Sequence, residues 1–180
     1  MSSQSPERIF DELLIIQCKA GDKKALELLI KRWNPKIMSY ATRNIKNHQG
    51  AQDVAQEVWL AAIRSIHRLK DESKIGSWLL GITHNKSMDW IKKNPSTSPP
   101  SEKIYSSIDR QDEDQRSAIL NQALLKLSMD QRNVLSLFYT EGYSLLEISE
   151  ILKISQGTVK SRLFYARESL KKAIKIYNYE

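Results

Sequence analysis

The chain reads as all-α, with two small helical domains joined by a flexible Pro/Ser-rich linker and a helix-turn-helix in the C-terminal one. Three observations predict this. Apolar residues recur at helical spacing while strand-like alternation is scarce. Gly21, Gly50, Gly76 and Gly142 fall between the periodic segments, where helices should break. The stretch Asn94-Pro95-Ser96-Thr97-Ser98-Pro99-Pro100-Ser101 holds three of the five prolines and reads as extended chain. The polar, acidic segment after it (Asp109, Asp112, Glu113, Asp114) extends the linker. The expected division is 8–93, a linker over 94–115, and 116–177.

In the first domain helices are expected over 9–19, 23–46, 51–66 and 75–93, the second bent or interrupted at Pro35. Cys18 follows the apolar run Leu13-Leu14-Ile15-Ile16 and reads as a small core residue. The helix from Ala51 turns Val54, Val58, Ala61 and Ala62 inward and gathers Asp53, Gln56, Glu57, Leu60 and Arg64 on another face. Acid, amide and leucine together suit docking onto a partner helix, with a solvated face as the plainer reading. In the last helix Trp78 and Ile82 fit a core stripe that Asn85 and Asp89 prolong. Lys86, Lys92 and Lys93 supply cations there, and Trp90 is either core or a stacking surface. Aromatic and basic residues together suit single-stranded or distorted DNA. The polar connection His67–Lys74 could carry contacts of its own.

In the second domain helices are expected over 116–127, 129–141, 145–153 and 156–175. Ser128 with Gln131, and Ser144 with Glu147, have capping-box spacing. After Ser144, Ile148, Ile151 and Leu152 share one side, the helix ends near Lys153, and Ser155 can cap the next helix. There Val159, Leu163, Ala166 and Leu170 share the buried face. Thr158, Ser161 and Tyr165 look outward, flanked by Lys160, Arg162 and Arg167. Short polar groups for base edges, with cations beside them for phosphates, are what a helix in the DNA major groove needs. The bland alternative is an amphipathic hairpin with a solvated basic face. Charge segregation counts against it: Glu141, Glu147 and Glu150 precede a segment whose one acid between Lys153 and Lys175 is Glu168.

The net charge of +7 suits a nucleic-acid partner. A single cysteine excludes a disulfide framework. His48, His67 and His84 have no ligand spacing with Cys18, so neither a metal nor another cofactor is expected. Asp53 and Glu57 lack any accompanying histidine or activated nucleophile, so no catalytic residue and no enzymatic activity are expected. No apolar run approaches membrane-spanning length and no secretory leader opens the chain, which implies a cytoplasmic setting.

Over nearly its whole length the chain resembles bacterial RNA polymerase sigma factors of the extracytoplasmic-function class. Asp53-Val54-Ala55-Gln56-Glu57-Val58-Trp59-Leu60 is similar to the family's core-polymerase-binding segment. Ile75 to Lys93, with Trp78-Leu79, Ile82, Asn85 and Asp89, resembles the helix after the promoter-melting loop. Thr158-Val159-Lys160-Ser161-Arg162-Leu163 and Ala166-Arg167 resemble the recognition helix. The resemblance implies a specificity subunit without enzymatic activity. Core RNA polymerase would bind through Asp53, Gln56, Glu57 and Leu60. Asn85, Lys86, Lys92 and Lys93 would meet the −10 element of promoter DNA. Thr158, Lys160, Ser161, Arg162, Tyr165 and Arg167 would meet the −35 element, and an anti-sigma factor would mask these surfaces. Two positions depart from the family: Ile75 stands where phenylalanine is common, and Tyr165 where a basic residue is frequent. Tyrosine can touch a phosphate or a thymine methyl but cannot make arginine's bidentate bond to guanine. The rival reading is a free-standing helix-turn-helix regulator, which explains the second domain but not the patterns in the first.

Overall fold

A computed structural model describes residues 6–45, 47–95, 123, 124 and 126–177. Among these residues every regular element is helical, and the chain separates into two compact units that divide between Pro99 and Pro100. No helix among the described residues is long and apolar enough to cross a membrane.

The first unit contains α1 (Pro6–Lys19), α2 (Lys23–Ile45), α3 (His48–Ser65) and α4 (Ile75–Lys93). Helix α2 is the centre, packed on each of the other three. Its apolar residues at four-residue steps, Ala25, Leu29, Trp33, Ile37, Ala41 and Ile45, are all buried. The α1–α2 turn uses Gly21 at φ +88°, and Asp22 Oδ1 then accepts from the Lys24 and Ala25 N–H groups at the start of α2. Pro35 does not interrupt α2. Both Pro35 and Lys31, whose carbonyl loses its helical partner, lie on the exposed side, where water can replace that bond.

Gly50 and Gly76 are not breaks. Asn47 caps α3, accepting from the Gly50 N–H at 2.9 Å, so the helix begins three residues before Ala51 and takes Gly50 into its first turn. A Cβ at Gly50 would stand 2.4 Å from the Trp90 ring, so the missing side chain permits the indole of α4 to close on α3. Gly76 lies buried in the first turn of α4.

The deepest face of α4 carries Ile75, Leu79, Leu80, Thr83 and Ser87. The expected stripe of Trp78, Ile82, Asn85 and Asp89 is its half-exposed flank. Trp78 and Ile82 rest on the core's edge, Asn85 is half-buried and Asp89 is exposed. Helical spacing alone shows that residues share a face, not how far that face is rotated toward the core. Cys18 likewise packs against the core half-exposed rather than within it; burial and the nearby Asp22 raise its thiol pKa.

The second unit contains α5 (Met129–Leu135), α6 (Leu145–Leu152) and α7 (Gln156–Tyr177). Both capping boxes form, Ser128 with Gln131 and Ser144 with Glu147. The helix expected over 129–141 is α-helical only to Leu135. Ser136–Thr140 then widens to π geometry, closed by the Glu141 N–H on the Ser136 carbonyl at 3.0 Å. That extra residue per turn lets Ser136 and Leu137 face inward together while Tyr139 turns out. Gly142 at φ +73° ends the turn. Lys153 closes α6 in the left-handed region at φ 54°, and the Ser155 hydroxyl accepts from the Thr158 N–H. Val134, Leu137, Ile148, Ile151, Val159, Leu163 and Ala166 form the core. Most of the helix expected over 116–127, and the linker beyond Pro95, lie outside the described residues.

Candidate nucleic-acid interface

Helix α3 presents Asp53, Gln56, Glu57 and Arg64 to solvent around Leu60, which is 54% exposed. Ile63, exposed to 42%, widens the apolar centre of this face. It was missed in sequence, although it lies three residues after Leu60 and outside the inward set. Of that set, Val54, Val58 and Ala62 are buried and Ala61 is half-exposed. Trp59 is pinned from behind by its indole N–H on the Asn34 side-chain oxygen at 3.0 Å, which fixes the rotation of α3.

The groups assigned in sequence to two different partners meet here. Lys86 of α4 donates to Glu57 of α3 at 2.9 Å. This hydrogen bond chiefly, with the charges of Lys86 and Lys93, holds the Glu57 carboxyl below the ordinary glutamate range. Lys86 is therefore paired within the unit, whereas Lys92 and Lys93 stand exposed at the end of α4, with Asn85 half-buried about two turns before them. Trp90 is no open stacking platform, because its ring faces the first turn of α3.

Between α3 and α4 runs a connection of two single 3-10 turns, Ile66–Arg68 and Glu72–Lys74, separated by Leu69, which is 7% exposed. Asp71 caps the second turn, its Oδ1 accepting from the Ser73 N–H and hydroxyl, and those bonds lower its pKa. The anchored apolar residues leave His67, Arg68, Lys70 and Lys74 exposed on the outside of this loop.

On α7 the buried stripe is as expected at Val159, Leu163 and Ala166, with Leu170 half-exposed. Opposite to it lie Ser161 and Tyr165 together with Phe164, which sequence reasoning passed over. Phe164 and Tyr165 are 59% and 62% exposed and pack edge to face at 5.5 Å. The signal was available: Phe164 follows Ser161 by three residues and falls outside the core spacing. Thr158 is half-buried rather than fully outward, its hydroxyl 2.9 Å from that of Ser155. The Ser161 hydroxyl donates to the Gly157 carbonyl at 3.0 Å. Its proton is thus committed, and lone pairs remain for an incoming donor.

The three flanking cations have separate surroundings. Lys160 is exposed. Arg162 pairs with Asp130 of α5 at 2.6 Å and ties the helix to its own unit. Arg167 lies over the rings of Phe138 and Tyr139, with 5.8 and 5.5 Å to their centroids, so the π-helical turn presents the surface on which it rests.

Comparison with known proteins covers both units. The Sigma-70 region 2 profile matches residues 29–97, and that of Sigma-70, region 4 matches residues 123–172. The chain is 30% identical to the RNA polymerase sigma-H factor of Pseudomonas aeruginosa, covering 91% of this chain and 93% of that one. It is 33% identical to the ECF RNA polymerase sigma factor SigW of Bacillus subtilis, over 89% and 95% of the two chains. Among solved structures, the sigma factor RpoE of Bartonella quintana, in complex with the anti-sigma factor NepR, shares the fold with a TM-score of 0.67. Identity there is 22%, over 85% of this chain and 98% of that one.

Proposed function

The chain belongs to the extracytoplasmic-function class of RNA polymerase sigma factors, and from that premise we propose how its surfaces divide the work of promoter-specific initiation. The observation that carries this reading is the order of two matched regions, each with an exposed outward face that lies outside its own core. The unit around residues 8–93 takes core RNA polymerase on α3, with Leu60 and Ile63 as the apolar centre and Asp53, Gln56 and Glu57 as its polar edge. Asn85, Lys92, Lys93 and the basic loop before α4 serve the −10 element, and Lys86 acts through Glu57 in holding α4 to α3. The helix-turn-helix around residues 116–177 reads the −35 element as duplex.

Along α7, Ser161 offers acceptor lone pairs, which suit the amino groups of cytosine or adenine. Tyr165 and Phe164 offer ring edges for thymine methyls. Lys160, with Arg162 and Arg167 held in place by Asp130 and the Phe138–Tyr139 rings, supplies phosphate contacts. The protein is a non-catalytic cytoplasmic subunit under this reading, and the same exposed faces are what an anti-sigma factor would cover.

Run-off transcription with purified core polymerase on a library randomised at both promoter elements tests the reading. Wild-type protein selects a bipartite site. Asp53→Ala with Gln56→Ala weakens core affinity by roughly 2–5 kcal/mol without loss of helix content. Ser161→Ala and Tyr165→Ala each relax one or two −35 positions by about 1–3 kcal/mol. Uniform loss across the library with the two α7 variants would show that the helix is docked differently.

A further inference from the structure

The loop from Ile66 to Lys74 is anchored by the buried Ile66 and Leu69 and by the Asp71 cap, but its backbone is only lightly bonded to itself. Its two 3-10 turns close through single backbone bonds, Leu69 N–H to the Ile66 carbonyl and Lys74 N–H to the Asp71 carbonyl. Runs this short are weak in isolation. One side chain makes two long-range polar bonds to it. At the last turn of α1, the Lys19 ammonium donates to the Leu69 carbonyl at 2.6 Å and to Glu72 Oε1 at 2.5 Å, across 50 and 53 residues of chain. One cation thus bridges both turns, the first through a backbone carbonyl and the second through a carboxylate. The contact is partly sheltered, with 22% of the Lys19 side chain and 31% of the Glu72 side chain accessible. The Lys19 hydrogen bond is also the main reason that the Glu72 carboxyl lies below its ordinary range.

We propose that Lys19 is a positioning residue for −10 recognition, clamping the loop so that His67, Arg68 and Lys70 are presented to the promoter in one arrangement. This rests on the sigma-factor reading above and extends it to a residue on another helix that touches no DNA. The physical reason is preorganisation: a loop ordered before binding does not lose that freedom when it takes up a base or a melted strand. Lys19 is suited to the task because an ammonium can satisfy a backbone carbonyl and a carboxylate at once, each with a charge-assisted bond.

The test uses holoenzyme assembled from core polymerase and full-length Lys19→Met, Lys19→Arg or Glu72→Gln protein, transcribing the same promoter library. Lys19→Met should flatten discrimination at −10 positions by roughly tenfold, the factor expected for losing a bond to a charged group. Preference at −35 and affinity for core should stay at wild-type values. Lys19→Arg, which keeps a charged donor, should restore most of the −10 preference. Glu72→Gln, at a partly exposed side chain, should give a smaller flattening at the same positions. Tryptophan fluorescence of each variant, taken at the assay temperature, establishes that the first unit is folded. A merely structural role would lower output evenly at all promoters, in step with the folded fraction. That result overturns the clamp, as does unchanged −10 discrimination in Lys19→Met. Wild-type protein that drives no initiation with core polymerase overturns the sigma-factor reading itself and the clamp with it.

Discussion

The first unit has local caps at Asp22, Asn47 and Asp71, and beside them a set of side-chain bonds that join residues far apart in sequence. Asp11 takes the Arg32 guanidinium at 2.6 Å and the Trp33 indole N–H at 3.3 Å. Asn34 holds Trp59, Tyr40 meets His84, Glu57 meets Lys86, and Lys19 spans to the loop before α4. In the second unit most side-chain bonds among the described residues reach three or four positions along the chain: two capping boxes, the Ser155 cap, and Ser161 on Gly157. The Asp130–Arg162 pair is of the longer kind. The contrast teaches that one unit adds tertiary polar contacts to its local caps, laid over a tryptophan-rich core. The other relies, among the described residues, mainly on local stops and starts. It also supplies a means of separating the two by experiment, since all four tryptophans, Trp33, Trp59, Trp78 and Trp90, belong to the first unit.

The sharpest way to break the comparison is Asp11→Ala. Asp11 is 7% exposed, so its loss strands the Trp33 N–H and leaves Arg32 without its carboxylate. A cost of about 2–3 kcal/mol is expected for bonds to a charged group in such a site. Urea denaturation followed by tryptophan fluorescence should show it. The far-ultraviolet signal of the second unit should keep its midpoint.

Paired glycine substitutions come next, because they should act with opposite signs. Gly50→Ala drives a Cβ into the Trp90 ring and should destabilise the first unit by about 1–3 kcal/mol through overpacking. At Gly157 a new Cβ would meet Ser155 Oγ at 3.7 Å, an ordinary contact. Gly157→Ala should therefore stabilise the second unit by about 0.5 kcal/mol through lost freedom of the unfolded chain. Equal signs in thermal unfolding would show that the Trp90 contact does not govern Gly50.

Removing a cap tests the locality of the second unit. Ser144→Ala breaks the box with Glu147 and should lower stability by about 1 kcal/mol. The tryptophan-monitored transition should not move. If it does, the two units unfold together and the contrast drawn above fails.

The smallest effect concerns pH. The Glu57 carboxyl titrates below its ordinary value because Lys86 bonds to its charged form. A lowered pKa in the folded state means that the contribution is present above the unfolded-state pKa. It is lost as pH falls through the folded value. Since 56% of the Glu57 side chain is accessible, the pair is worth no more than about 1 kcal/mol. Lys86→Met should move the Glu57 titration upward in a carboxyl-detected NMR series. An unmoved titration would remove Lys86 as the cause.

What the sequence alone determined follows this same division. In the helix-turn-helix, the starts at Ser128 and Ser144, the stop at Lys153, the cap at Ser155 and the inward stripe of α7 were all legible. Each is set by interactions within a turn or two. The outward set on α3 was legible for the same reason. Tertiary structure decided the rest. Only the approach of α4 to α3 explains Gly50 and turns Trp90 from a stacking candidate into a packing group. Only the rotation of α4 on its neighbours makes Leu79, Thr83 and Ser87 the deep face, leaving Trp78, Ile82, Asn85 and Asp89 at the edge. Pairing of Lys86 with Glu57, Arg162 with Asp130 and Lys19 with the loop likewise depends on which helices meet. The physical reason is the range of the forces. Periodicity and caps are properties of neighbouring residues on one backbone, whereas helix rotation and ion-pair choice are settled when separate surfaces are brought together and desolvated.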